Sequence, residues 1–329
     1  MILDRKEAWG DIRYNTETHA FSYQEKAPTG ACPYTHLPVV LNLVLTHQCN
    51  MTCRHCVARD FAPICTDDLR VTPKLVRHLN HSPFMVMVIT GGEPLLPSCE
   101  EALCALLERL ENKAGIVDTN GTIEPTKRVL RLLKQKEVLL RVSLDSMNPN
   151  DEVYLRHGRG GPNDKESISL YHDKIDRLRR LTRLGICTAA QTLVYRSSTT
   201  KRARDSVFDI INFLHEEGIE EWYLQRLIPS HRFRNPPDRS TLPSEKYAAV
   251  VARLASAAAQ AGVRVFGKRD KRHNSVFLLV GDGALYTQGS APGQKVPIGS
   301  IYDADAYDDC FTYVSAPDHA ARYYCQTDD

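Results

Sequence analysis

Between residues 39 and 227, apolar runs of strand length alternate with longer amphipathic stretches, and this rhythm constrains the fold more than any other feature. The strand-like runs are 39–45, 84–89, 115–118, 138–144, 186–194 and 221–227. The helix-like stretches between them are 73–79, 99–110, 125–135, 169–184 and 201–217. Leu178, Leu181 and Leu184 recur at threes and give the fourth stretch an apolar face. Gly185 and Gly218 stand where C-terminal caps belong. Strand, helix, strand in alternation implies parallel strands joined by right-handed crossovers. The units fit an α/β fold of the partial (β/α)6 barrel type, although periodicity alone does not exclude an open sheet. A ligand site is expected at the C-terminal ends of the strands.

Three segments follow from this rhythm. Residues 1–38 read as an N-terminal extension, with a hairpin suggested by the 12–14 and 21–23 runs around a polar turn. Residues 39–235 make the barrel. Residues 236–329 make a small α+β appendage: an alanine-rich helix over 244–261, a strand at 263–266, and strand-like runs 276–280 and 284–287 around Gly281-Asp282-Gly283. The net charge of +2, without any block of like charge, gives no reason to expect a nucleic-acid partner. No apolar run approaches the ~20 residues that cross a bilayer, so no membrane association is expected. The N-terminus lacks the apolar core of a signal peptide. Scattered cysteines suit a reducing, cytoplasmic location.

The first strand-like run leads directly into Cys49, Cys53 and Cys56, a C-x3-C-x2-C spacing. With ten cysteines in 329 residues, such a spacing arises by chance in about one chain in a hundred. Three thiolates can hold three corners of a cubane iron–sulfur cluster and leave the fourth iron open for chemistry, whereas a four-cysteine site is closed. The alternative is a structural Cys3His zinc site completed by His55 or His47. Such sites usually pair C-x2-C with a distant second pair, and none is present.

The next three strands also end in polar loops at that rim. Gly91-Gly92-Glu93-Pro94 follows the second. Adjacent glycines permit close backbone approach to a ligand, and Glu93 with nearby carbonyls can accept from an ammonium group. By itself the segment is also an ordinary β–α loop with a helix-starting proline. Thr119-Asn120-Gly121 follows the third strand, where Asn-Gly is equally a turn signal. Ser143-Leu144-Asp145 follows the fourth, with a hydroxyl and a carboxylate suited to ribose hydroxyls or to a helix cap.

Together these residues resemble the radical S-adenosylmethionine (SAM) superfamily, and within it the branch containing the molybdenum-cofactor cyclase and the SPASM/twitch enzymes. The resemblance covers roughly residues 39–230. It implies one [4Fe–4S] cluster on Cys49, Cys53 and Cys56, with SAM chelated at the open iron. It implies that Gly91, Gly92, Glu93 and Pro94 bind the methionyl ammonium. Ser143, Asp145 and Thr119 or Asn120 would hold ribose or carboxylate, with Gln191 contributing from the fifth strand. The family's aromatic residue before the last cysteine is here His55, a planar ring able to pack near adenine. The implied reaction is reductive cleavage of SAM to a 5′-deoxyadenosyl radical that abstracts hydrogen from a substrate, with flavodoxin or ferredoxin as the one-electron donor.

Basic residues suit an anionic small substrate such as a nucleotide, sugar or natural-product precursor: Arg156, His157 and Arg159 after the fourth strand, and Arg226 ending the sixth. The basic run 268–273 reads equally as a solvated face. One alternative is a peptide-modifying maturase of the same superfamily, for which residues 1–38 are short to form a winged-helix recognition element. Another is a non-enzymatic iron–sulfur or zinc module. Residues 281–302 resemble a twitch tail in which Thr287 and Gln288 stand where a cluster cysteine is usual, so a degenerate tail without an auxiliary cluster is expected. Cys187, Cys310 and Cys325 are weak candidates for returning a hydrogen atom to a substrate radical, since an isolated cysteine is more often a buried small hydrophobe.

Overall fold

The computed structural model describes residues 1–7, 10–25, 39–56, 67–158, 164–195, 201–227, 242–267, 277–288 and 295–303. Its centre is a run of parallel neighbours in chain order: β4 (Val40–Thr46), β5 (Val86–Gly91), β6 (Ala114–Thr119), β7 (Leu139–Ser143), β8 (Thr188–Val194) and β9 (Glu221–Arg226). Each lies within two residues of the run that predicts it. The crossovers are α1 (Pro73–His81), α2 (Glu100–Arg109), α3 (Lys127–Gln135), α5 (Lys165–Arg183) and α6 (Lys201–Glu216). Thr72 and Thr126 cap α1 and α3 by accepting from the N–H three residues on. Gly185 and Gly218 end α5 and α6 at φ +74 and +69, as their placement suggested. A short helix, α4 (Pro149–Leu155), escapes the sequence reading, although Asn148-Pro149 is a sound start signal and Asn148 does cap it.

The sheet continues at both edges. The helix α7 (Ser244–Gln260) leads to β10 (Arg264–Phe266), which joins β9 in parallel. At the other edge β11 (Phe277–Val280) joins β4 in parallel, and β12 (Ala284–Gln288) and β13 (Lys295–Ser300) extend it antiparallel. β10 and β13 are the two free ends, so the sheet is open and the barrel partial. No described helix is long and apolar enough to cross a membrane.

Strand alternation sends two sets of side chains to two cores. Leu41, Leu43, Leu45, Met87, Ile89, Val117, Leu140, Val142 and Trp222 pack under the helices. Val86, Val88, Ala114, Ile116, Leu139 and Ala189 form the opposite face. That face is covered by a small antiparallel sheet of β1 (Ile2–Glu7), β2 (Gly10–Asn15) and β3 (Ala20–Glu25), through Leu3, Ile12, Tyr14 and Phe21. The expected hairpin is β2–β3. β1 is hidden in the sequence by its charges, which it uses across the strand pair: Asp4 meets Arg13 at 2.7 Å. The polar ties of this sheet reach residues at strand beginnings. Arg5 donates to the Pro83 carbonyl, Thr16 to Glu137 (3.5 Å), and His19 pairs with Glu221 (2.8 Å). The N-terminal sheet therefore packs at the lower end of the face, and the opposite rim, where the strands end, is left for a site.

Candidate functional site

The cysteine loop leaves β4 and is clamped from two sides. On one side the segment after α4 runs antiparallel to it. The Thr52 N–H donates to the His157 carbonyl (2.8 Å), the Arg54 N–H to the Leu155 carbonyl (2.9 Å), and Met51 bridges Gly158. The Thr52 hydroxyl adds a bond to the Gly158 carbonyl (2.8 Å). On the other side lies the Gly91-Gly92 turn. The Gly92 N–H donates to the Thr46 carbonyl (2.7 Å) and the Glu93 N–H to the Gln48 carbonyl (2.8 Å). A Cβ at position 91 would lie 2.3 Å from the Thr46 carbonyl oxygen, and one at 92 would lie 1.9 Å from that of Gln48. The close approach for which these glycines are needed is thus to the protein's own backbone, at the root of the cysteine loop.

Glu93 also differs from the sequence expectation. Its carboxylate is fully buried and its oxygens are occupied. Oε1 accepts from the Leu95 N–H (3.0 Å) and the Thr119 hydroxyl (2.8 Å), and Oε2 from the Asn120 N–H (2.7 Å). Burial pushes its pKa up to about 7, against the pull of those three donors. Glu93 joins the β5 and β6 loops and does not present its charge outward. An ammonium group arriving at this turn would meet backbone carbonyls.

From the β6 loop, Asn120 reaches the cysteines. Its amide donates to Asn50 Oδ1 (2.9 Å) and approaches Cys49 Sγ at 3.7 Å. The Asn50 amide donates to Thr122 Oγ1 (2.8 Å), and the Thr122 hydroxyl donates to Asn120 Oδ1 (2.7 Å). This ring fixes the loop beside Cys49. Asn50 and Thr122 are the site residues the sequence reading missed. The only signal was that an amide and a hydroxyl lie next to residues already singled out.

The β7 loop carries a buried charge network. Asp145 Oδ2 accepts from Arg156 Nε (2.6 Å) and Oδ1 from the Leu193 N–H (2.7 Å). Burial raises the Asp145 pKa, but Arg156 and the other partners outweigh it and hold the carboxyl below its ordinary value. Glu152 Oε2 accepts from the Asp145 and Ser146 N–H groups (2.7 and 2.9 Å), and its other oxygen pairs with buried Lys174. Arg156 was expected to meet a substrate anion. It is instead buried against Asp145, and an anion would have to displace that carboxylate. His157 is likewise engaged, its ring 3.1 Å from the Thr52 hydroxyl.

Three other candidates, Ser143, Gln191 and His55, keep capacity for a ligand. The Ser143 hydroxyl has no partner among the described residues, and Gln191, its register neighbour on β8, has a buried Oε1 without a hydrogen bond. His55 is buried with Nδ1 unpartnered. Burial foremost, and then Arg156, pushes its pKa down to about 3, so the ring is neutral. Arg226 is exposed at the end of β9. Cys187 is misplaced for returning a hydrogen atom: it precedes β8, the length of a strand, about 20 Å, from the rim. Arg159, Cys310, Cys325 and the run 268–273 lie outside the described residues.

The three thiols interact. Burial pushes Cys53 up to about 12, with Arg156 pulling it back and Cys56 and Cys49 pushing it further, and burial raises Cys49 as well. Metal ligation requires thiolates, so whatever binds must offset that cost. Three neighbouring thiols on one loop fit the donor set of a polynuclear cluster, in which each cysteine holds a different iron. The orphaned Gln191 carbonyl and the unpartnered Ser143 hydroxyl fit a polar ligand beside it.

Residues 43–186 match the radical SAM superfamily. GTP 3′,8-cyclase of Synechococcus sp. (strain CC9902) is 30% identical over 133 residues, which is 39% of this chain and 38% of the cyclase. Pre-heme d1 synthase of Dinoroseobacter shibae is 22% identical over 202 residues, 60% of this chain and 45% of the synthase. The matches thus span less than half the length of these curated relatives. In fold, Streptococcus suis SuiB bound to SAM has a TM-score of 0.66 at 11% identity, covering 97% of this chain and 88% of SuiB. SuiB has also been solved with its precursor peptide SuiA.

Proposed function

We propose that this chain, whose residues 43–186 match the radical SAM superfamily, is an enzyme of that class, that Cys49, Cys53 and Cys56 ligate a [4Fe–4S] cluster, and that it cleaves SAM reductively to abstract hydrogen from a small anionic substrate. The observation that carries this reading is the cysteine loop itself. It stands at the end of β4 with its three thiols as neighbours on one loop, held by the Gly91-Gly92 turn and by Asn120. When bound, the cluster supplies the electron that breaks a sulfonium C–S bond of SAM, leaving methionine and a 5′-deoxyadenosyl radical.

The chain's own residues have separable tasks. Backbone carbonyls of the Gly91–Glu93 turn are available to the methionyl ammonium, since the Glu93 carboxylate is occupied. The Ser143 hydroxyl can donate to a SAM carboxylate, and the orphaned Gln191 carbonyl beside it can accept from a SAM hydroxyl. Thr119, Asn120 and Asp145 act one step back, through Glu93, Asn50 and Arg156. The neutral, buried His55 ring offers a flat surface to adenine. Arg226 remains the described candidate for a substrate anion, and a flavodoxin or ferredoxin supplies the electron.

The similarity to a GTP cyclase supports a nucleotide-like substrate. A peptide substrate is the second reading, favoured by the match along nearly the whole chain to SuiB, which binds a precursor peptide. Anaerobically reconstituted protein with dithionite and SAM is expected to form 5′-deoxyadenosine. Its absence from protein holding four irons per chain would overturn the proposal.

A further inference from the structure

The segment that clamps the cysteine loop does more than hold it. Met51 bridges Gly158 antiparallel, and the Thr52–His157 and Arg54–Leu155 hydrogen bonds of 2.8 and 2.9 Å keep that register. In it, Cys53 stands directly opposite Arg156. Directly opposed residues of an antiparallel pair project from the same face, as close side-chain neighbours. Both are buried, and Arg156 is fixed by Asp145 at 2.6 Å. A guanidinium does not shed its charge on burial. The result is a permanent cation set against the middle cysteine, with its counter-charge on Asp145.

The register sets Arg156, and not Asp145, opposite Cys53, so the pair presents its positive end to the thiol. Cluster potentials respond to nearby charge, and burial leaves that charge poorly screened.

Building on the assignment of Cys53 as a cluster ligand, we infer that Arg156 is an electrostatic positioning residue, oriented by Asp145, that makes the cluster easier to reduce by a low-potential one-electron donor protein. One electron enters, no thiolate bond breaks, and no proton moves, since Arg156 stays protonated throughout. This gives a function to a residue whose burial removes it from substrate binding. The clamp itself is made by main-chain bonds, so the charge can be altered without removing them.

The test uses the full chain as wild type, Arg156→Gln, Arg156→Lys and Asp145→Asn. Each is reconstituted anaerobically, assayed for iron, and titrated with reductant under electron paramagnetic resonance without SAM. At the wild-type midpoint, Arg156→Gln is expected to hold a reduced-to-oxidised ratio about tenfold lower, a drop of about 59 mV for a one-electron couple. Arg156→Lys should stay within about threefold of wild type. Asp145→Asn should move the other way, since it leaves the cation unopposed. A shift below about threefold in Arg156→Gln, or shifts of the same sign in Arg156→Gln and Asp145→Asn, would overturn the inference. If Arg156→Gln retains no iron, the sign of the Asp145→Asn shift decides. A wild-type chain that binds no iron refutes the proposed function and this inference together, whereas four irons with unmoved potentials refutes the inference alone.

Discussion

Replacing Glu93 by glutamine separates the two roles a buried carboxylate can have. In the wild type, Oε1 takes the Leu95 N–H and the Thr119 hydroxyl, and Oε2 takes the Asn120 N–H. The amide keeps the first two bonds but turns an NH2 toward Asn120 N, leaving a buried donor unsatisfied at a cost of about 1–3 kcal/mol. The pH dependence runs the other way. Burial raises the Glu93 pKa from 4.5 to about 7. Below 4.5 the group is protonated whether folded or unfolded. As pH rises toward 7 the unfolded chain ionises first, so folding stability declines. At about 1.4 kcal/mol per pKa unit, the decline is about 3 kcal/mol and is complete just above pH 7. Glutamine does not titrate. Urea unfolding of both proteins, without cluster and under reducing conditions, is thus expected to show Glu93→Gln less stable at pH 5. By pH 7.5 the difference should vanish or invert. Subtracting the two proteins cancels the other titrating groups. A difference that is constant, or that grows with pH, would refute the reasoning, because Glu93 would then be ionised in the fold and its three donors would dominate burial.

Gly92→Ala sets a Cβ 1.9 Å from the Gln48 carbonyl oxygen, so we expect a loss above about 4 kcal/mol or failure to fold, read from urea midpoints or soluble yield. Lys174→Met leaves buried Glu152 without its cation and should cost about 3–5 kcal/mol in the same assay, while a loss below about 1 kcal/mol would make the pair dispensable. Tyr14→Phe removes a buried hydroxyl that has no hydrogen-bond partner among the described residues, so it should be neutral or stabilise by up to about 1 kcal/mol, and a clear destabilisation would show that the hydroxyl is satisfied in solution.

The parts of this fold legible in sequence are those whose physics is local. β4 to β9 announce themselves because alternate residues enter two apolar cores, and the glycines after α5 and α6 because only a positive φ ends those helices there. β1 is not legible, since Asp4, Arg5, Lys6 and Glu7 mask a strand whose pairing is set by β2. The site divides the same way. The cysteine spacing and the strand-end loops are visible as patterns, but their internal assignments are tertiary. Gly91 and Gly92 read naturally as making room for a ligand, and only the path of residues 46–48 shows that they make room for the chain itself. Arg156 reads as a substrate contact because arginine suits anions, and only the register with residues 51–54 sets it against Cys53. Nothing in the spacing of Asn50 and Thr122 signals that they meet at 2.8 Å.

The central claim is that Cys49, Cys53 and Cys56 hold a cluster whose fourth iron is open to SAM. Electron paramagnetic resonance of the reduced, reconstituted protein, before and after adding SAM, tests it most directly. Four irons per chain and a signal that changes on SAM addition are expected, with both lost when the three cysteines are replaced by alanine. A full iron complement with a signal indifferent to SAM would mean a closed cluster, and would contradict the account.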